Sequence, residues 1–87
     1  MGAVSILVLS FAPAADGRGR AAGLVHDLLA EHDLGETVGG GQDLITGDFD
    51  IEVATPDAER LVAELKRSLA TEPGLALKEA VLIERQQ

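Results

Sequence analysis

The stretch Gly35–Thr55, GETVGGGQDLITGDFDIEVAT, decides how this chain folds. Its second half alternates strictly. Phe49, Ile51 and Val53 point one way and Asp48, Asp50 and Glu52 the other, because successive side chains of a strand project to opposite faces. That is a strand with one dry face and one wet face. Before it come Gly39, Gly40 and Gly41. Glycine inside a strand weakens it and marks a bulge or a close backbone approach, so this half reads as a loose, bulged edge strand. The turn joining the two falls at Thr46-Gly47 or nearer Gln42-Asp43.

Upstream, Val4–Leu9 (VSILVL) is a continuous apolar run ending at Ser10-Phe11-Ala12-Pro13. It reads as a central strand, apolar on both faces. Residues 14–20 (AADGRGR) read as a loop, with Asp16 placed to cap the following helix. From about Arg18 to Asp33 the apolar residues Ala21, Leu24, Val25, Leu28 and Leu29 share one helical face. Gly35 occupies the position of a left-handed C-terminal cap, with His32 in the last turn. Downstream, Thr55 reads as a helix N-cap, Pro56 as the first helical residue, and Asp57 and Glu59 as an acidic first turn. Ala58, Leu61, Val62, Leu65 and Leu69 form the buried stripe of this helix, and Lys66 and Arg67 suit its C-terminal end. Thr71-Glu72-Pro73-Gly74 stops it. Leu77–Glu84 (LKEAVLIE) is the last strand, with Val81 and Ile83 on one side and Leu82 and Glu84 on the other.

The order is β-α-β-β-α-β. Over the whole chain, 1–87 as a single domain, it resembles the ferredoxin-like superfold, an α+β sandwich. The resemblance lies in element order alone. It implies a four-stranded antiparallel sheet in strand order 4-1-3-2 with both helices on one face, and it implies no function by itself.

Composition bounds the role. Eighty-seven residues make one domain that buries about 60–65% of its unfolded surface. The hydrophobic fraction of 46% is that of a globular protein. Phe11 and Phe49 are the only aromatic residues, which counts against stacking nucleic-acid bases. Fifteen acidic against seven basic residues give a net charge of −8, which repels phosphate backbones. With no cysteine, disulfides, zinc–thiolate sites and thiol chemistry are excluded. No apolar run approaches the roughly 20 residues of a membrane helix. The N-terminal segment ends in a small-x-small tripeptide, Ala12-Pro13-Ala14, but no cation precedes its apolar run, and a strand is the expectation over a leader. A cytoplasmic location fits.

The wet face of the acidic strand carries the functional expectation. If Val4, Ile6 and Val8 point inward, Ser5, Leu7 and Leu9 lie on the open face beside the carboxylates. Leu7 and Leu9 would then anchor an association surface steered by Asp48, Asp50 and Glu52. The partner would be a basic protein or a second copy of the chain in a homodimer. A merely solvated acidic face is the plainer alternative.

The runner-up is a small-anion site at Gly17-Arg18-Gly19-Arg20, where a helix start and two arginines concentrate positive character. Its spacing is not the dinucleotide fingerprint. In ACT-type regulatory domains, similar in element order, ligands bind near the corresponding turn, which would imply a metabolite-sensing role. His26 and His32 lie six apart, about 240° around a helix, and cannot hold one metal ion together. Exposed carboxylates on an open sheet lack a pocket to tune them for acid–base work. No Ser/His/Asp constellation or phosphate loop is legible, so neither catalysis nor a cofactor is expected.

Overall fold

The computed structural model describes residues 4–84. Residues 1–3 and 85–87, and with them the start of the candidate leader, lie outside it. The elements are β1 (Ser5–Phe11), α1 (Gly17–His32), β2 (Glu36–Gln42), β3 (Phe49–Thr55), α2 (Ala58–Leu69) and β4 (Leu77–Glu84). The strands form one antiparallel sheet ordered β2-β3-β1-β4, with β3 and β1 central. Both helices cover one face. This is the ferredoxin-like α+β arrangement expected from the element order.

Cross-strand register fixes which residues share a face. Leu7 lies opposite Val53, Leu9 opposite Ile51 and Phe11 opposite Phe49. All six are buried, and they form one core with Ala21, Val25, Leu28 and Leu29 of α1 and Leu61 and Leu65 of α2. The Phe11 and Phe49 rings stack with centroids 5.1 Å apart.

This corrects the expected orientation of β1. Leu7 and Leu9 are 2% and 0% exposed and point under the helices, not onto the open face. The strand runs on to Phe11, and stacking that ring on Phe49 places the odd-numbered residues inside. Ile6, Val8 and Ser10 therefore occupy the open face.

The helix ends also differ from expectation. Gly17–Arg20 are the first turn of α1 and not a loop. Asp16 sits at its N-cap in a left-handed conformation, and its side chain makes no capping bond. At the C-terminus the left-handed residue is Asp33, and the Leu34 amide donates to the Leu29 carbonyl at 3.1 Å. That six-residue closure, with Leu34 buried, is a Schellman-type end. Gly35 is needed one step later. It has φ of +116°, and a Cβ there would lie 1.9 Å from the Ala54 carbonyl oxygen. Thr55 remains the last residue of β3, with its hydroxyl accepting from the Asp57 amide. Asp57 is the true N-cap of α2, accepting from the Arg60 amide at 3.1 Å.

β2 and β3 are joined by the six residues 43–48. A bulge at Val38 interrupts β2, and a second at Lys78 interrupts the start of β4.

Candidate functional site: the open face of the sheet

On the face away from the helices, register aligns Ile6 with Ala54 and Ile83, Val8 with Glu52 and Val81, and Ser10 with Asp50 and Glu79. Directly opposed residues on one sheet face lie about 4.5–5.5 Å apart, so these form continuous rows. Ile6, Val8, Val81 and Ile83 make an aliphatic band across β1 and β4. Val81 and Ile83 are 43% and 48% exposed. Asp50 and Glu52 flank the band on β3. Thus the expected pairing of an apolar stripe with an acidic one exists, but different side chains of β1 build it. The one Lys or Arg that reaches this face among the described residues is Lys78, at the end of β4, where it meets Asp48.

β2 leaves the acidic row uncovered on its outer side. Gly39 lies opposite Glu52, Gly40 opposite Ile51 and Gly41 opposite Asp50. Glu52 leans over this bare backbone, so that a Cβ on Gly39 would meet its Oε2 at 2.9 Å. Asp48, just before β3, is engaged differently. Its carboxylate accepts from Lys78 Nζ at 2.6 Å, a charge-assisted bond that raises the Lys78 pKa above its ordinary value. Ser10, Asp43, Asp48, Asp50, Lys78 and Glu79 line a concavity of about 400 Å³ at this end of the face. Among the described residues no group of His, Asp and Glu is arranged to hold a metal ion.

The hairpin tip adds a feature that the sequence reading missed. Leu44 and Ile45 are each 95% exposed. They are held there by Asp43, whose Oδ1 accepts from the Ile45 amide at 2.8 Å and the Thr46 amide at 3.1 Å. Those two backbone bonds, Thr46 first, hold the Asp43 pKa below the ordinary carboxylate value. The available signal was an adjacent aliphatic pair set between turn-forming residues, Asp43 before and Thr46-Gly47 after.

The candidate anion site is differently employed. Gly17 is buried, and a Cβ on it would meet Ala14 Cβ at 2.8 Å and the Phe49 ring at 3.0 Å. Arg20 donates to the Pro73 carbonyl at 2.8 Å and pairs with Glu72 at 3.3 Å, tying α1 to the loop before β4. Arg18 and Gly19 are exposed. The histidines are not brought together. His32 lies 3.5 Å from Glu64 of α2, while His26 is exposed. Among the described residues no helix is long and apolar enough to cross a membrane. Compared with known protein families, curated proteins and solved structures, the chain matches none.

Proposed function

We propose that this chain is a non-enzymatic interaction domain that docks a partner protein through its open sheet face. One observation carries the reading. A part-exposed aliphatic band (Ile6, Val8, Val81, Ile83) runs beside two carboxylates, Asp50 and Glu52, and the one cation at this face among the described residues, Lys78, is already paired with Asp48. Such a surface fits an apolar patch bordered by Lys or Arg. A second copy laid face to face would set carboxylates toward carboxylates, which costs specificity and affinity. The chemistry therefore favours a basic protein over a sheet-to-sheet homodimer. A cytoplasmic setting fits a chain without cysteine.

The test is affinity capture from extract of the native cells, at low and high salt, with the parent, Asp50→Lys with Glu52→Lys, and Val8→Ser. The expected result is one partner held at low salt, weakened by added salt, lost on charge reversal and weakened by Val8→Ser. A partner retained equally by all variants would place the contact elsewhere.

A further inference from the structure

From the edge of the sheet we infer that β4 pairs antiparallel with β4 of a second copy, giving a two-fold dimer with one eight-stranded sheet. β4 is the outermost strand on its side, bonded only to β1 among the described residues. Its outer row of backbone N–H and C=O groups therefore faces outward unpaired by a strand. Natural edges are normally blunted by lysine, proline or a bulge. Here the bulge and the lysine are confined to residue 78, and residues 79–83 carry neither device. Instead Val81, Leu82 and Ile83 are three consecutive aliphatic residues, 43%, 48% and 48% exposed.

The second observation is a cleft of about 710 Å³ between this edge and α2. Leu7, Leu77, Ala80 and Leu82 line its strand side, with Ala80 the smallest of them, and Ala58, Val62 and Ala63 its helix side, where Glu59 and Lys66 also border it. A strand added to the edge would send alternate side chains into this cleft, the usual way that strand addition combines backbone bonding with side-chain selection.

The identity of the added strand follows from self-complementarity. Antiparallel pairing of a strand with its own copy is two-fold symmetric, so one patch satisfies both chains. Faces are preserved only if the axis passes through a residue. Centred on Val81, the pairing sets Leu82 of each copy opposite Ala80 of the other, on the helix side. The exposed leucine thus enters the opening that the alanine leaves, twice per dimer. On the other side Val81 meets its twin. Glu79, the one charge within residues 79–83, lies opposite Ile83 of the other copy. The two Glu79 side chains are then separated by about four residues of strand, roughly 13 Å, beyond the Debye length at physiological salt.

Dimerisation would join two aliphatic bands into one, flanked on each side by an acidic row, and so widen the surface on which the proposed docking rests. The two readings fail separately. Leu82→Lys removes the edge contact while leaving Val8, Asp50 and Glu52 in place, so loss of the dimer with capture of the basic partner intact would retain only the face.

The chain has no cysteine, which makes cross-linking decisive. Val81→Cys should form an intermolecular disulfide on mild oxidation, because opposed residues meet the Cα spacing that a disulfide needs. Val38→Cys on the opposite edge and Val8→Cys, one strand further in, should not. Light scattering should give twice the 9.0 kDa chain mass for the parent. Leu82→Lys should give the chain mass with unchanged far-UV circular dichroism. Ala80→Leu, which fills the opening, should weaken the dimer at least tenfold. A parent that stays monomeric up to about 100 μM overturns the proposal. So does cross-linking through position 8 or 38 in place of 81, or a dimer indifferent to Leu82→Lys.

Discussion

β2 and β4 are edge strands of the same sheet, of similar length, and they are made of opposite materials. β2 reads ETVGGGQ. It carries a bulge at Val38, and over three positions it has no side chain to offer a neighbour. A Cβ on Gly40 would come within 2.6 Å of the Asp50 carbonyl oxygen, so close strand approach excludes a larger residue there. β4 reads LKEAVLIE, carries aliphatic residues on both faces near its end, and borders a cleft. An edge can thus be closed to self-pairing by removing what another chain would bury, or left open by supplying it. The same contrast explains why the acidic row is bare on its β2 side while the apolar band runs out to the β4 edge.

The largest expected effect attacks the frame on which both edges hang. Leu9→Ala should cost about 2–5 kcal/mol in denaturant unfolding, since Leu9 is wholly buried and its removal leaves a cavity. A change within surface noise would mean that Leu9 faces the open side after all. Next, Gly40→Val should cost about 1–3 kcal/mol by pushing β2 off β3. Hydrogen exchange should then quicken at β2 amides and stay slow across β1 and β4, and equal loosening of both edges would erase the contrast. Ile83→Thr, exposed on the other edge, should change monomer stability by under about 0.5 kcal/mol. A larger loss confined to concentrated samples would locate the cost in association.

The smallest effect concerns the hairpin tip. Because hydrogen bonds lower the folded-state pKa of Asp43, its contribution is present above the unfolded-state value. That contribution is lost as pH falls through the folded-state one. Acidification through that window should loosen the Ile45 and Thr46 amides, seen as shifts in an NMR titration. Asp43→Ala should abolish the pH dependence by removing the titrating acceptor.

The element order and the inward face of β3 were legible because alternation in FDIEVAT admits one solution. The orientation of β1 was not, because VSILVL is aliphatic at both parities and neither face is marked. Extending that strand by two residues would have resolved it, since Phe11 has the parity of Leu7 and Leu9 and lies opposite Phe49. The cap at Thr55 was misplaced because Thr55 and Asp57 both suit the role. The choice turned on Thr55 being held in the ladder opposite Ser5. Arg20 looked available for a ligand because its partners, Pro73 and Glu72, lie more than fifty residues away in sequence. Leu44 and Ile45 escaped notice because a turn is expected to be polar, and this one places its polar groups underneath, bonding backbone.

The distribution of cations has a further consequence. Among the described residues, Arg18, Arg20, Arg60, Lys66 and Arg67 ride on the two helices, and Lys78 is paired with Asp48. Among the described residues, Asp50, Glu52 and Glu79 of the open face thus form no salt bridge. The helices interleave their cations with carboxylates, Asp27, Glu31, Glu59 and Glu64, whereas on the sheet side Asp50, Glu52 and Glu79 gather with no cation among them but Lys78 at one end. In a diffusing encounter, or on a cationic chromatography support, that local concentration of like charge would favour approach by the open face, so that orientation precedes contact.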